Sequence, residues 1–522
     1  MLNDWVRGTC RLGMVPANGM LYSTPNACHC YAGTKLMGFN ALIGGQEEQD
    51  LVPDPEEMRL VCKSPANGDK EATNDRGTKG EWVLGDFDGA WPTYRHDARR
   101  SGTASTSVPA ELSSRWATSF HAPLSPPVAA LGKVFAVTPE TYELRALDAD
   151  SGKRVWSFTG GGRIDSPPTI LVRRGDRESS SGLCIFGCTD GWVYAVRAAD
   201  GELVWKFRAA PKVRLVGSDG RLESAWPVHG SVLVQGGVVY AAAGRSSFLD
   251  GGIWYYGLDP GSGRVLYRER LYDSETTAEA FDGRGGHDAT QGALNDILVG
   301  GSKVYMGRQP VGIVSGSSAD SDAGAGSGQA GQSRLLATSG FLDDSMFNRS
   351  WWLYGTWPGY NRKPVKGAAG QLLVFNESAT YGVRVFRQVT RLGGRSPDFK
   401  PGEGYELFAV PHGGGKKPPK DRWSENVPVR VSSMVLAGPT LFVAGSPDRL
   451  DEGDPLRSIE GRGEGVLMSM AATDGTKQRE LTLDSPPVFD GLIAAGGRLY
   501  LSTADGKLIC LAGETSTVAE GL

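Results

Sequence analysis

The sequence predicts an all-β protein, a β-propeller of four-stranded antiparallel blades. Three observations carry this prediction. A short strand centred on Tyr or Phe recurs along the 522 residues, turn-rich hairpins follow several of its copies, and 73 residues are glycine, which is about twice the usual share of 7%. A high glycine content indicates many tight turns, as an array of short strands requires.

The recurring strand is visible seven times. Most of its residues are apolar, and apolar residues stand next to each other instead of alternating with polar ones, which indicates that both faces of each strand are covered. A sheet covered on both faces by sheets like itself is a propeller blade, whereas the coils of a parallel β-helix, the alternative, are shorter and need no hairpins. The copies lie at 19–23, 133–137, 183–187, 237–241, 303–306, 440–444 and 498–502.

A hairpin follows several copies of the strand. Its best example runs from Ala146 to Trp156 and contains the turn Asp150-Ser151-Gly152-Lys153. An Asp side chain that accepts hydrogen bonds from turn amides and a Gly that adopts positive φ favour such a turn. Trp156 follows in the outgoing strand, where we expect its ring to cover a seam between sheets. The same plan recurs at 195–205 and 257–267.

The spacing of the repeats predicts a single propeller over residues 1–522 with inserted segments. We expect flexible loops at 43–90 and 311–333, the second of which is nearly all Gly, Ala, Ser, Asp and Gln. Residues 341–423 are interpreted as the outer part of the fifth blade, and 514–522 as a disordered tail.

The unit Ala-x-Asp-x-x-(Ser/Thr)-Gly-Lys-x-x-Trp resembles the pyrroloquinoline-quinone (PQQ)-like repeat of quinoprotein dehydrogenases and of outer-membrane assembly lipoproteins. Further segments are similar to a group of bacterial propellers common in planctomycetes. The resemblance implies a chain truncated at its N-terminus, with seven blade cores and the remnant of an eighth that ends near Trp5. The segments are 4–10, 16–19, 91–97, 226–230, 243–247 and 340–345.

The same resemblance raises the question of a cofactor. Quinoprotein dehydrogenases use adjacent cysteines, a Trp platform, a Ca²⁺ ion held by Glu and Asn, and an Asp base. No Cys-Cys pair occurs in this sequence, although Trp192, Trp226 or Trp254 could form a platform. The cofactor therefore stays unassigned, with PQQ and calcium as the alternative that the repeat suggests.

Cys10, Cys28 and Cys30 form the most suggestive cysteine cluster. In an extended segment Cys28 and Cys30 point to one face, so they could bind a soft metal together with Cys10. A disulfide from Cys10 to one of them, or unpaired thiols, are the alternatives. Cys184 and Cys188 lie about 13 Å apart along one strand, beyond disulfide reach, and are interpreted as packing residues.

Eight polar and aromatic residues flank blade strands and are predicted to meet at one mouth of the central channel. His, Arg and Asp together suit a polar or anionic ligand. In the alternative interpretation, Arg245–Asp250 and Asp343–Arg349 are structural ion pairs that fix loops. The predicted ligand-binding residues are Trp226, His229, Arg245, Asp250, His287, Asp343, Asp344 and Arg349.

Charge and missing motifs exclude several functions. A net charge of −4 provides no field for a nucleic acid, and no apolar run is long enough to span a bilayer. Nucleotide-binding, metalloprotease and hydrolase signatures are absent from the sequence. We therefore expect a non-enzymatic scaffold for a protein partner or a small polar ligand, with a quinone- or metal-dependent oxidoreductase as the alternative. The resemblance implies a periplasmic or exported full-length protein, although this chain shows no signal.

Overall fold

Nearly all of the described chain consists of β-strands. The computed structural model describes residues 13–24, 39–44, 51–63, 81–87, 89–175, 182–218, 220–245, 250–272, 297–306, 309–312, 333–336, 352–356, 365–385, 404–412, 420–458 and 460–513. Within these ranges one four-residue α-helix and one short 3-10 helix interrupt the strands. The predicted all-β propeller class is confirmed.

The elements before the first blade are short. They are β1 (Met14–Ala17), β2 (Met20–Ser23), β3 (Asn40–Ile43), α1 (Glu56–Arg59), β4 (Leu60–Cys62), β5 (Trp82–Leu84) and β6 (Thr103–Ala104).

The following strands form the first part of the ring, with a 3-10 helix at Pro139–Thr141. They are β7 (Ser113–Ser119), β8 (Val128–Ala130), β9 (Lys133–Thr138), β10 (Glu143–Asp148), β11 (Arg154–Thr159), β12 (Thr169–Arg173), β13 (Leu183–Gly187), β14 (Trp192–Arg197), β15 (Leu203–Arg208), β16 (Leu215–Ser218), β17 (Arg221–Ser224), β18 (Leu233–Gln235), β19 (Val238–Ala243), β20 (Ile253–Leu258) and β21 (Val265–Leu271).

The second part of the ring is also made of strands alone in the described ranges. They are β22 (Leu298–Val299), β23 (Val304–Met306), β24 (Gln309–Val311), β25 (Arg334–Leu336), β26 (Trp352–Thr356), β27 (Val365–Gly370), β28 (Leu372–Phe375), β29 (Ala379–Val385), β30 (Tyr405–Pro411), β31 (Trp423–Asn426), β32 (Val429–Ala437), β33 (Thr440–Pro447), β34 (Gly465–Ala471), β35 (Lys477–Leu483), β36 (Pro487–Ala495), β37 (Arg498–Thr503) and β38 (Lys507–Ala512).

Successive strands pair antiparallel into sheets that follow one another around the ring. Sets of four consecutive strands begin at β8, β12, β18, β28 and β32, and two sheets of three strands, β22–β24 and β25–β27, lie between the third and fourth sets. Shared apolar clusters fill the spaces between neighbouring sheets. The strands β9, β13 and β19 are buried almost throughout, as their unbroken apolar sequences predict.

A strand from early in the chain closes the ring. β7 pairs antiparallel with β38, so the last sheet has the order β36-β37-β38-β7. Trp116 of β7 lies opposite Cys510 in this pairing, nearly 400 residues apart in the chain. The backbone hydrogen bonds between β7 and β38 therefore connect the beginning and the end of the ring.

The copy at 19–23 includes β2, the middle strand of the three-stranded sheet β1-β2-β3. Two expectations from the sequence need correction. Residues 341–423 are not the outer part of one blade, because β28–β31 form a sheet of their own that begins in the chain at Leu372. The segment 43–90, predicted as a flexible loop, contains α1, β4 and β5. Residues 313–332 and 514–522 lie outside the described ranges, and the number of blades stays a prediction.

Parts of the 43–90 segment form the edges of the second blade sheet. β4 pairs with β15 and β5 pairs with β12, which gives this sheet six strands. Arg59, only 2% exposed, fixes α1 to the sheet. Its guanidinium donates to the Arg208 carbonyl at 2.9 Å and to the Tyr256 hydroxyl at 2.6 Å. A buried arginine with these partners explains why residues 56–62 form regular secondary structure although the composition of 43–90 is loop-like.

Four tryptophans in outgoing strands lock their sheets to the next one in the ring. Each indole packs on a turn glycine whose φ is between 67° and 78°, and each Nε1 donates to a turn carbonyl at 2.8–3.1 Å. A Cβ on any of these glycines would lie 2.5–2.7 Å from the ring. The predicted role of Trp156 is thus confirmed and recurs around the ring. The pairs are Trp116–Gly152, Trp156–Gly201, Trp205–Gly263 and Trp423–Gly475.

The turn acceptor differs from the predicted one. Asp148, not Asp150, accepts hydrogen bonds from the Ser151 amide at 2.8 Å and the Ser151 hydroxyl at 2.6 Å. Asp150 instead pairs with Arg498 of the last sheet at 2.7 Å. The Asp at the end of the incoming strand is therefore the residue that shapes the turn.

Two glycine substitutions separate the packing contact from backbone strain. Gly132 and Gly152 both have a φ of 67°, but a Cβ at Gly132 meets no heavy atom within 4 Å. We expect Gly132→Ala to lower the free energy of unfolding by about 1 kcal/mol because of its left-handed backbone. Gly152→Ala should lower it by about 1–3 kcal/mol more, since Trp116 is displaced. Urea denaturation measures both, and equal losses would contradict the packing contact.

Residues 89–107, which we call the central segment, fill the middle of the ring. The first strand of successive sheets faces this segment, and its backbone bonds to them in turn. The Trp91 and Ala129 backbones exchange two hydrogen bonds at 2.6 and 2.9 Å, and the Ile170 amide donates to the Pro92 carbonyl at 2.7 Å. Further around the ring, four more backbone amides donate to carbonyls of the central segment. The pairs are Gly300 to Ala98, Phe375 to Ser101, Leu436 to Gly102 and Gly496 to Gly89.

Arg95 anchors the central segment to two distant sheets. Its side chain is 2% exposed and pairs at 2.9 Å with Asp490, whose side chain is 4% exposed. It also donates to the Leu373 carbonyl and lies 4.2 Å from the centre of the Trp352 ring. A buried charge needs this degree of pairing, because an unpaired one is strongly destabilising.

Arg100 bonds to the opposite side of the ring. Its side chain is fully buried, and burial lowers its pKa to about 10. It donates to the carbonyls of Tyr94 at 2.9 Å, Leu298 at 3.0 Å and Val232 at 3.3 Å. Arg95, His96 and Arg100 all have positive φ, a strained conformation for side-chain-bearing residues that these contacts hold in place.

Removal of the central ion pair should be far more costly than removal of a surface pair. We expect Arg95→Met to lower the free energy of unfolding by about 3–5 kcal/mol, because it leaves Asp490 charged and buried. Adding Asp490→Asn should recover part of the loss. The control is Arg479→Met, which breaks an exposed pair with Glu111 at 3.4 Å and should lose at most about 1 kcal/mol. Similar losses for both arginines, measured by denaturant unfolding, would contradict the anchor.

Candidate functional site

Four of the predicted ligand-binding residues lie at one end of the ring. Trp226 and His229 are in the connection between β17 and β18, and Arg245 and Asp250 are in the hairpin between β19 and β20. In a sheet of four antiparallel strands, the hairpin between the second and third strands emerges at the same end as the connection to the next sheet. We call this end of the ring the connection end. That these residues bind a ligand at the mouth of the central channel stays a prediction.

A chain of paired basic and acidic side chains runs beneath this surface. His229 Nδ1 lies 2.6 Å from Asp165, whose other oxygen accepts from Arg163 at 2.5 Å. Arg163 also lies 3.2 Å from Glu223, which pairs with Arg245 at 2.7 Å. We call these five residues the charged chain. All five side chains are at most 14% exposed.

The charges of the chain stabilise one another. Burial alone would raise the pKa of Asp165, but the hydrogen bond and charge of His229, together with Arg163, outweigh it and lower that pKa below 3.8. Asp165 is therefore ionised at neutral pH. The chain joins the connection before β12, the connection between β17 and β18 and the hairpin after β19 through Glu223 of β17, so it fixes three loops.

Trp226 and Asp250 belong to a second cluster beside the charged chain. Trp226 is 1% exposed, and its Nε1 donates to the Asp250 carbonyl at 2.8 Å. Arg214 pairs with the Asp250 carboxylate at 2.5 Å and lies 4.6 Å from the centre of the Trp226 ring. The indole is thus covered by protein groups, and a planar cofactor has no access to that face.

The predicted pairing of Arg245 with Asp250 is wrong. Arg245 pairs with Glu223 and also donates to the carbonyls of Ser224 and Ala225, whereas Asp250 pairs with Arg214. Proximity in the sequence suggested the first pairing. The hairpin β16-β17 supplies the partners instead, because it folds back over both residues.

The structure adds acidic residues that the sequence did not single out. Asp165 and Glu223 complete the charged chain, and Asp190 accepts a hydrogen bond from Tyr194 at 2.6 Å. Burial raises the pKa of Asp190. Asp165 stands directly before the Ser-Pro-Pro element that recurs in the sequence, and Arg163 lies two positions earlier. This pattern was the sequence signal that could have identified Asp165.

The remaining predicted site residues lie outside the described ranges. These are His287, Asp343, Asp344 and Arg349 of the channel-mouth set, and Cys10, Cys28 and Cys30. In the part of the chain that the structure describes, no three His, Cys, Asp or Glu side chains come together to hold a metal ion. Cys184 and Cys188 are buried and unpaired, as expected for packing residues.

Comparison with known proteins agrees with the repeats. Residues 109–284 match the family described as outer membrane protein assembly factor BamB. The match covers about a third of the 522 residues and agrees with the PQQ-like repeats seen in the sequence. The matched part spans the sheets that begin at β8, β12 and β18, and it contains the whole charged chain. No curated protein matches the sequence.

Solved structures similar to this chain include two quinohemoprotein alcohol dehydrogenases and one BamB protein. Quinohemoprotein alcohol dehydrogenase from Comamonas testosteroni is 14% identical, with 84% of this chain and 85% of that chain covered and a TM-score of 0.47. BamB from Moraxella catarrhalis is 14% identical over 78% and 99%, with a TM-score of 0.40. Quinohemoprotein alcohol dehydrogenase ADHIIG from Pseudomonas putida HK5 is 12% identical over 84% and 82%, with a TM-score of 0.46.

The charged chain predicts a specific dependence of stability on pH. Because the pKa of Asp165 is lowered on folding, its contribution is complete above about pH 4, the value for an unfolded Asp, and is lost as pH falls through the folded pKa. We expect Asp165→Asn to unfold more easily than the wild type at pH 7, with a difference that shrinks below about pH 4. Denaturant unfolding across pH measures this difference.

An exposed carboxylate provides the control for this pH profile. Asp484, whose side chain is 92% exposed, should give an Asn variant that follows the wild type at every pH. A difference for Asp165→Asn that stays constant far below pH 4, or that is absent at pH 7, would contradict the assigned role of Asp165.

Proposed function

We propose that this PQQ-like propeller is a non-enzymatic scaffold that binds a protein partner at its connection end. The observation that carries the proposal is the central segment, which occupies the middle of the ring. The alternative, a PQQ- or metal-dependent oxidoreductase, would use the central channel as its active site.

The central segment argues against a channel cofactor on physical grounds. A redox cofactor must be held and oriented by protein groups around a cavity. Here Trp91, Tyr94 and Arg100 are at most 2% exposed, and both buried arginines are bonded to backbone carbonyls. Binding of a quinone there would require the segment to leave and its buried charges to lose their partners, at a cost of several kcal/mol.

The hairpin β16-β17 offers a contact surface for a partner. Leu215 and Leu222 are 58% and 72% exposed, and Val213 before the hairpin is 76% exposed. Leu222 lies opposite Gly217, so Leu215 and Leu222 share one face. The other face is fixed to the ring by ion pairs of Arg214 with Asp250 and of Arg221 with Glu140. Neighbouring aliphatic side chains that are exposed together mark a candidate protein-binding surface.

The matching family supports the choice of a protein partner. Its description names a factor in the assembly of outer membrane proteins, and we infer that this chain also binds a protein in an exported location such as the periplasm. In the described ranges, no helix has both the length and the apolar character needed to cross a bilayer. We place no nucleic acid among the partners, because the sequence carries a net charge of −4.

The scaffold proposal makes a direct prediction about cofactor binding. A ligand that binds only the folded state raises its apparent stability. We therefore expect that PQQ with Ca²⁺ causes no saturable change in cofactor absorbance and no rise in the melting temperature of the purified protein. Saturable binding, accompanied by dye-linked alcohol oxidation, would overturn the scaffold proposal.

The hairpin surface is tested by paired substitutions. Protein captured from an extract by the immobilised wild type should be lost with the double variant Leu215→Asp and Leu222→Asp, since charge disrupts apolar contact. The matched control is Leu450→Asp, which changes another half-exposed leucine and should retain the captured protein. Equal capture by the double variant and the wild type would contradict a role for the hairpin.

A further inference from the structure

A small pocket lies at the end of the ring opposite the connection end. It is formed where the turn between β22 and β23 meets β25, the end of β28 and the central segment. The pocket offers about 30 Å³, which is room for roughly two water molecules. Its polar and aromatic walls come from Arg99, Ser302, Tyr305, Ser333, Arg334 and Phe375.

Arg334 is the most informative residue of this pocket. Its guanidinium lies 3.8 Å from the centre of the Tyr305 ring, and its buried Nε has no hydrogen-bond partner in the described part of the chain. Burial lowers its pKa against the opposing effect of the Tyr305 hydroxyl, and no carboxylate among the described residues acts on it. A partly buried cation without an anion is costly, so an anion that enters the pocket would be stabilising.

Arg99 adds a second positive charge. Its guanidinium pairs with Glu377 at 2.8 Å, but that carboxylate is 89% exposed and compensates the charge weakly. The same guanidinium lies 5.4 Å from the centre of the Phe375 ring. Among the described residues that line the pocket there are two arginines and no carboxylate, so the pocket itself is cationic.

The floor of the pocket is held rigid from two sides. The amide of Gly301 donates to the Gln235 side chain at 3.1 Å, and the Gln235 amide group donates back to the Gly301 carbonyl at 3.0 Å. The Gly300 amide donates to the Ala98 carbonyl at 2.7 Å. The turn is therefore fixed between a neighbouring sheet and the central segment, and binding would need little reorganisation.

We propose that this pocket binds the carboxylate group of a small-molecule ligand. An arginine presents a planar fork that matches two carboxylate oxygens, and serine hydroxyls supply further donors. The available space suits two oxygens better than the four of a phosphate. The site lies outside the charged chain and the hairpin surface, so it is independent of the proposed partner-binding function.

The test uses the whole 522-residue chain and two simple anions. Sodium acetate and sodium phosphate are titrated at constant ionic strength against sodium chloride, and the melting temperature and heat of binding are measured. We expect a saturable rise in melting temperature with acetate and little with phosphate. A larger saturable effect of phosphate would overturn the carboxylate assignment, and no saturable effect of either anion beyond chloride would overturn the site.

Matched arginine variants locate the effect. Arg334→Gln should lose the acetate response by at least tenfold in apparent affinity, and Arg334→Lys should retain only part of it because the fork is lost. Arg268→Gln removes the same charge from another sheet and should respond like the wild type. An acetate response unchanged in Arg334→Gln would overturn the proposal. If Arg334→Gln fails to fold, the wild-type titration and Arg334→Lys still decide the question.

Discussion

The guanidinium groups of Arg95 and Arg100 lie in the middle of the ring, where water cannot solvate them. Each group must therefore find its partners in the protein, and those partners belong to sheets that are far apart in the sequence. Arg95 requires Asp490 and the Leu373 carbonyl, whereas Arg100 requires the carbonyls of Val232 and Leu298. The inner strands consequently have fixed positions relative to a single segment of the chain.

The same requirement connects the fold with the proposed function. Because residues 89–107 fill the middle of the ring, the surfaces left for recognition are its two ends and its rim. At the connection end, the charged chain turns polar side chains inward and holds the hairpin β16-β17 with its leucines exposed. At the opposite end, the central segment itself supplies Arg99 to the cationic pocket. Because the central segment fills the middle of the ring, we expect ligands and partners to bind at its two ends.

The repeated features of this fold were predictable because they are local. Hairpins such as 146–156 carry their turn residues and their Trp within a few positions, and burial on both faces is visible in a single strand. The partners of the charged groups were not predictable in this way. Asp490 is 395 residues from Arg95, and Asp165 is 64 residues from His229. Sequence proximity suggested Arg245–Asp250, but folding of the hairpin placed Glu223 closer.

Hydrogen exchange followed by mass spectrometry tests the central claim most directly, because it reports whether backbone amides are protected. Peptides from 89–107 should exchange as slowly as those from the buried strand Lys133–Thr138, since the amides of Trp91, Arg100 and Gly102 are bonded inside the ring. Exchange of the 89–107 peptides within seconds, at the rate of an exposed turn, would show that the middle of the ring is open and would contradict the account.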